Sequence, residues 1–447
     1  MDEMSQIGSI CRSLLPECQV LSMFDWIKKR LFGGPPADPY DEFVLAFVAE
    51  CRRRGIQPKS YDPNARGFLF VRDDASEFIH YMHNSYLEWL GRNQDERVAF
   101  MTKMVGSVID AMRNSVLDPD KLPEQLMPGI RSHAQISNRM INKWIAGAPA
   151  DDSNDTAFRP FIGDHVACAM RDLPDSMAQM AHANLAVVGL SLDQAMAHAM
   201  TNFRSRIPRP VFEPVRDGLF GCNTLQDHQS AMLLLTPGTD YDLPAIDGAP
   251  VAVVPTRNLF YLTGSESREG LAKALDLAQN ANRMPWYCSS TLFQWDGLRW
   301  IEAELTGDLA MRQRELKQRQ LADDYASQKE LLDQYHLSKG QDIFVASQML
   351  FRPKDSPELF TVAMLGSGTT GTLLPHADRL SFAKQVVDPQ TGLAQGPPAD
   401  TADVAWADAM AIAGHLFEPV PYIYPPRLRA LGFPAEDVWA RLNAVAR

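Results

Sequence analysis

From Asp308 to Lys339 the chain runs without a proline or a glycine, carries six acids and six bases, and holds few β-branched residues. Such a stretch, bounded by Gly307 and Gly340, reads as one long helix with a mostly solvated surface. Leu309, Leu316, Tyr325 and Leu332 do not sustain clean heptads, so the helix is expected to rest one stripe on its neighbours as a connector rather than to dimerise as a coiled coil. The expected fold class is therefore α+β, with several small mixed α/β-sheet lobes joined by a long charged helix. The expected organisation is an N-terminal tail with a short amphipathic helix over 1–40, an α+β lobe over 41–118, and a crossing linker over 119–157. A central α+β domain follows over 158–305, then the helical connector over 306–340 and a C-terminal α+β domain over 341–447.

Periodicity supplies the finer expectations. Phe43, Phe47 and Cys51 line one face of a helix stopped by Gly55, and the run from Phe68 to Val71 reads as a strand. In the stretch 76–90, Phe78, Met82, Tyr86 and Leu90 are spaced for a helix, followed by a second helix from Arg97. HVACAMRDL reads as a strand, DSMAQMAHANLAVVGL as a helix, and SLDQAMAHAMTNF as a helix capped by Ser191. Two short β runs flank the turn at Pro255–Asn258, REGLAKALDLAQNA is a helix, and STLFQWDGLRWIEAEL is a hairpin turning at Asp296–Gly297. Beyond Gly340, DIFVASQMLF, ELFTVAML and RLSFAKQVV read as strands, DVAWADAMAIAGHLF as a helix, and a closing helix follows Pro434.

Forty-three basic residues against fifty-five acidic ones give a formal charge of −12, and only 24–60 is net basic. Phosphate backbones are repelled by such a surface, so no nucleic-acid partner is expected. The six cysteines are too few and too dispersed for a disulfide framework, which fits a reducing cytoplasm. The opening residues lack the basic n-region of a secretory signal, and no window offers the ~20 apolar residues of a membrane span. Phe24, Ile27 and Leu31 at helical spacing beside Lys28, Lys29 and Arg30 leave contact with a membrane surface through 24–32 as a lesser expectation than a tail that packs or frays.

The motifs carry little chemistry. Gly366, Gly368 and Gly371 spell GxGxxG after a β run, with Asp388 downstream, but the following TLLPHADRL is too short and proline-interrupted for a dinucleotide helix. A glycine-rich turn between antiparallel strands is the expected reading, with no cofactor. No CxxC or HExxH occurs, so no metal is expected; His80 and His83 share a helix face without a third ligand. Asp164, His165 and Cys168 cluster at a strand start, where the pleat sends His165 and Cys168 to opposite faces. Cys288 is expected to be a buried inert thiol, and Arg204, Arg206, Arg209 and Arg216 a solvated loop balanced by acids.

LMPGIRS, HVACAMRDLPDS, AHAMTNF, GAPVAVVPTRNLFYLTGS, LLPHADRLSF and EPVPYIYPPRLRALGFP, in that order, resemble the YtpQ-like bacterial proteins, a family defined by a domain of unknown function. The resemblance runs from about Phe24 to the C-terminus and supports a start at Met23. It implies a cytoplasmic bacterial α+β protein and brings no established active-site residues. Arg131, Asp172, Asn202, Asp227 and Arg257 stand as polar side chains in the matching stretches and form the candidate pocket, with capping, turn closure and internal pairing as their ordinary roles. The first expectation for function is a non-catalytic protein-interaction or regulatory protein with a protein partner. The alternative is a hydrolase acting on a small polar substrate around Arg131, Asp172 and Asn202.

Overall fold

The computed structural model describes residues 38–446 except 64–65, 114–116, 151–155, 208, 223–225, 282–283, 285, 355–357, 369–370 and 385–397. The helix expected within 24–32, Cys11, Cys18 and Asp388 lie outside the described residues. The chain is α+β, built from helices and several separate small sheets. It divides into two compact units. The first comprises the described residues up to Leu117 with Asp172–Met177, and the second Asp118–Arg171 with the described residues from Ala178 onward.

In the first unit, α1 (Pro39–Arg53) starts where Asp38 accepts the Tyr40 N–H at 2.9 Å. Pro39 pre-sets the first turn, and acids at that turn with Arg52 and Arg53 in the last complement the helix dipole. Its apolar face meets the antiparallel sheet of β1 (Ser60–Asp62), β2 (Gly67–Val71) and β3 (Glu77–Tyr81). The expected helix over 76–90 is a correction: Glu77–Tyr81 is a strand paired with β2, and only α2 (His83–Leu90) is helical. Phe78 and His80 alternate inward against exposed neighbours, a period-2 pattern that the spacing of Phe78, Met82 and Tyr86 masks. His80 and His83 consequently share no helix face. His80 stacks on Phe47, with centroids 5.7 Å apart, and burial pulls its pKa down to about 4, so it is a neutral core residue. On α3 (Gln94–Arg113), buried Asp110 accepts the Asp175 N–H at 2.9 Å and the Ser176 hydroxyl at 3.0 Å, which anchors 172–177 to this unit. A Cβ at Gly106 would lie 2.0 Å from the Asp175 carboxylate, so that approach requires glycine.

The second unit begins within the stretch expected to be a crossing linker. There β4 (Leu126–Ser132) has all seven residues buried, and α4 (His133–Ile145) follows. Partnering β4 and β5 (Phe158–Pro160) is β6 (His165–Asp172), as its sequence pattern predicts. The helix expected over 175–190 is a second correction, since β7 (Met177–Gln179) precedes a short α5 (His182–Val187). The capping box at Ser191 and Gln194 opens α6 (Leu192–Arg206) as expected. A six-stranded antiparallel sheet follows, formed from β8 (Phe212–Arg216), β9 (Leu219–Cys222), β10 (Pro250–Val253), β11 (Phe260–Gly264), β12 (Leu292–Trp295) and β13 (Trp300–Glu302). It is covered by α7 (Arg268–Ala281), which buries Leu271, Ala274, Leu275 and Ala278. The two β runs expected around Pro255–Asn258 pair antiparallel as β10 and β11, and the expected hairpin of β12 and β13 turns at Gly297 with φ +99°.

The long helix is α8 (Gly307–Ser338). It does lay one stripe on its neighbours, but half of that stripe is polar: Gln313, Gln320, Gln328 and His336 are buried beside Leu309, Leu316, Tyr325 and Leu332. After it come β14 (Met349–Phe351), β15 (Phe360–Gly366), β16 (Leu373–Pro375), β17 (Arg379–Lys384) and β18 (Asp400–Ala405). Next are α9 (Trp406–Ala413), β19 (Phe417–Pro419), β20 (Arg427–Ala430) and the closing α10 (Glu436–Val445). The strand expected from Asp342 is confined to Met349–Phe351, and the helix expected over 403–417 begins as a strand paired with β17. The glycine-rich turn after β15 does not join antiparallel strands. The chain crosses into a second sheet through β16, which pairs with β20, and returns as β17 parallel to β15. No helix opens at Gly371, as dinucleotide binding would require.

Arg427, 1% exposed, ties α8 to these last sheets. Its guanidinium donates to Gln328 Oε1 at 2.6 Å, Ala346 O at 2.7 Å, and the carbonyls of Leu373 and Tyr325 at 3.1 Å. Among the described residues no carboxylate forms an ion pair with it, and burial pulls its pKa down to about 10, which still leaves it charged. Replacing Arg427 by Ala strands these acceptors and is expected to cost about 3 kcal/mol in urea unfolding. Arg427→Lys, lacking the planar fork, is expected to recover less than half of that loss.

Candidate functional site

Gln313, Lys317, Gln320 and Asp324 fall at intervals of four, three and four along α8 and so share one helix face. That face walls a cleft of about 830 Å³ within the second unit. Opposite it stand the Ile162–Asp164 turn, Glu302–Leu305 after the β12–β13 hairpin, Asp378 and Tyr424. Gly163, at φ +55°, lets the chain turn sharply enough to present Asp164 at the cleft floor.

Asp164 is held by an ion pair whose protonation state follows from geometry. His165 Nδ1 lies 2.9 Å from Asp164 Oδ1 and 3.1 Å from Ile162 O, and Nε2 lies 3.2 Å from the Cys288 carbonyl. Each of these oxygens only accepts, so both ring nitrogens carry hydrogen and His165 is an imidazolium. Its burial opposes this charge, but Asp164 and the two carbonyls raise its pKa overall. Burial likewise opposes ionised Asp164, while His165, a backbone N–H and Lys317 bring its pKa below the ordinary value. Gln320 Nε2 occupies the other carboxylate oxygen at 2.8 Å, and Gln320 Oε1 accepts from the Ser290 hydroxyl.

Asp324 behaves oppositely. Burial, with Asp164 nearby, pushes its pKa up to about 7, and the Gln320 amide offsets only part of this. Two aspartates in one cleft therefore carry different charge near neutral pH, one ionised and one partly protonated. Tyr424 also faces the pair; its burial and both carboxylates raise its pKa, so the phenol keeps its proton.

Of the five residues expected to form a pocket, Asn202 and Arg131 stand at opposite ends of β4. Asn202 donates to Pro123 O at 2.7 Å and Leu126 O at 2.8 Å, which docks α6 on the start of β4. Arg131 lies at the far end of β4, about 17 Å along the strand from Leu126. It donates to Ile130 O at 2.8 Å and to Ser230 Oγ at 3.5 Å. Ser230 N–H in turn donates to Arg257 O at 3.1 Å, so Arg131 and the Arg257 backbone do meet at Ser230. The Arg257 guanidinium turns instead onto the Trp286 ring, 3.9 Å from its centroid. Asp172 belongs with the first unit, whereas the others belong to the second. The side chain of Asp227 lies outside the described residues. In the arginine cluster two of the four are paired with acids as expected, Arg204 with Asp240 at 3.1 Å and Arg209 with Asp242 at 2.6 Å, while Arg206 donates to the Glu124 carbonyl.

Among the described residues, no group of three or more His, Cys, Asp or Glu side chains is placed to hold a metal ion, and no helix is long and apolar enough to cross a membrane. A thiol, an imidazole and a carboxylate do come together at Cys288, His165 and Asp164, but the imidazole meets the Cys288 carbonyl. The Cys288 sulfur faces Ile130 O at 3.8 Å, and burial pushes its pKa up to about 12, so it is no nucleophile. No motif in the sequence marks Asp324. The signal that could have found it is the 313, 317, 320, 324 spacing, a polar face too rich in uncharged glutamine for a wholly solvated helix. The chain matches no known family, no curated protein and no solved structure.

Two outcomes follow from these environments. The native state holds a proton on Asp324 between the unfolded value of 3.8 and the folded value of about 7. Its ionisation therefore subtracts stability as pH rises through that window. Asp324→Asn is expected to match the wild type near pH 4 and to exceed it by about 2 kcal/mol near pH 8 in urea melts; equal differences at both pH values would refute the raised carboxyl. Iodoacetamide near neutral pH is expected to leave Cys288 unmodified in the folded protein and to label it in urea, read by peptide mass spectrometry.

Proposed function

We propose that this protein is a non-catalytic regulatory protein whose cleft binds a small polar ligand and whose ligand state is read by a protein partner. The observation that carries this reading is the cleft of about 830 Å³ beside α8, with its polar wall already organised by hydrogen bonds. Its groups suit holding better than bond-making. Asp164 has both oxygens engaged, His165 has no lone pair with which to take a proton, and the Cys288 thiol keeps its hydrogen. Membership of the YtpQ-like family and a cytoplasmic place of action belong to the same proposal. Cys51, Cys168, Cys222 and Cys288, none of them in a disulfide, support the latter.

A second reading, a hydrolase of a small polar substrate, draws support from one observation: a partly protonated Asp324 beside an ionised Asp164 resembles an acid and base pair. The engagement of Asp164 weighs against it.

Thermal-shift screening across amines, sugars, carboxylates and nucleotides tests the proposal. A ligand at a hundred times its Kd is expected to stabilise the wild type by about 2.7 kcal/mol. That stabilisation is expected to vanish in Ala310→Trp and Leu321→Trp, which fill the cleft from α8. Turnover of the bound compound, followed by mass spectrometry, would favour the hydrolase, and a ligand unaffected by both tryptophans would remove the cleft from the account.

A further inference from the structure

The charge balance of the cleft is incomplete. Asp164 is matched by His165, Glu302 by Lys317 at 2.6 Å, and Arg314 by Glu358 at 3.3 Å. Asp324, Asp378 and Glu304 also line the cleft, and none of the three has a cationic partner among the described residues. Asp378 accepts from the Thr361 N–H at 2.7 Å, the Thr361 hydroxyl at 2.9 Å and Gln318 Nε2 at 3.4 Å, all neutral donors. His376 beside it is kept neutral, its burial outweighing the pull of Asp378.

A second observation points the same way. Gln313, 7% exposed in the cleft wall, donates its Nε2 to Ala303 O at 3.0 Å and to Glu302 Oε1 at 3.5 Å, while its Oε1 has no donor. A buried acceptor left unpaired costs free energy that an incoming N–H group recovers. These acceptors are strung out rather than gathered. At 1.5 Å of rise per residue, Gln313 and Asp324 lie about 16 Å apart along α8, and Gln318, which reaches Asp378, lies between them. With both wall cations already matched, the cleft repels a free anion and lacks the converging ligands of a metal.

We propose that the ligand of this cleft is an elongated organic polycation, a linear polyamine, lying along α8 with its ammonium groups against Gln313 and Glu304 at one end, Asp378 midway and Asp324 at the other. This rests on the reading of the cleft as a binding site. The ammonium ions supply the counter-charge the cleft lacks, and the methylenes between them cover Ala303, Leu305, Ala310 and Leu321. Binding at the Asp324 end releases its proton to solvent. The groups facing Asp324 are Asp164 and His165 from the start of β6, Tyr287, Tyr424, and Asp323 and Gln320 on its own helix. Of these, Asp164 disfavours the ionised form and His165 favours it, so an added ammonium tips the balance toward ionisation.

Isothermal titration calorimetry of the full chain tests the proposal with spermine, spermidine and putrescine as polycations, glutarate as the anion, trehalose as the neutral probe, and magnesium and manganese as metals. Spermine is expected to bind most tightly and putrescine least. Titration in buffers of different ionisation enthalpy near pH 6, where every amine of the polyamine is already protonated, is expected to show release of about one proton. Asp324→Asn is expected to weaken spermine at least ~10-fold and to abolish the release, with circular dichroism confirming its fold. Binding that prefers glutarate, trehalose or a metal, or spermine binding indifferent to Asp324→Asn, overturns the polycation and leaves the cleft reading standing. The absence of binding by every probe, together with a screen in which no ligand is lost on filling the cleft, overturns both.

Discussion

Within the second unit, the buried polar stripe of α8 is the constraint on which the other arrangements rest. Gln313 fixes the Ala303 carbonyl, Gln320 the Asp164 carboxylate, Tyr325 the Pro426 carbonyl, and Gln328 the Pro425 carbonyl together with Arg427. An amide both donates and accepts without charge, so it enters the interior at the cost of hydrogen bonds alone. One helix thereby sets the position of the β12–β13 hairpin, the turn before β6 and the approach to β20. Arg427 extends the stripe with a charge solvated by carbonyl oxygens and one amide, an arrangement that leaves it no freedom to move while those partners stay in place.

The cleft inherits its electrostatics from that stripe. Gln320 stands between the two aspartates and stabilises both carboxylates, but the imidazolium of His165 favours Asp164 far more strongly. Burial first, and then the negative charge of Asp164 nearby, disfavour the ionised form of Asp324, which retains a proton near neutral pH. The difference between the residues arises from their neighbours, since the two side chains are chemically identical.

What could be read from the linear text followed local physics. The Ser191 capping box, the Gly297 hairpin and α7 were legible because propensity and periodicity there agree with the tertiary structure. The pattern is ambiguous where two periods overlap, as in 76–90, or where a strand passes into a helix with no turn between them, as at Ala405 and Trp406. The crossover from β15 to β17 was illegible for a different reason: strand pairing between sheets leaves no mark on the intervening glycines. Polar residues in apolar text do not by themselves mark a pocket, because they serve docking, as Asn202 does, as readily as ligands. Asp164 is legible as part of a cluster and Asp324 as one of the polar positions 313, 317, 320 and 324, but the two lie 160 residues apart and nothing local in the sequence pairs them.

The first unit is a discontinuous object in the chain. Asp110 and Gly106 receive a strap whose residues are encoded after β4, α4, β5 and nearly all of β6. During synthesis, then, the emerging N-terminal lobe remains unfinished while most of a further sheet is being translated, and only the arrival of Asp175 and Ser176 completes it. Such long-range closure slows folding, and it makes any fragment that stops at the apparent lobe boundary an incomplete version of that lobe.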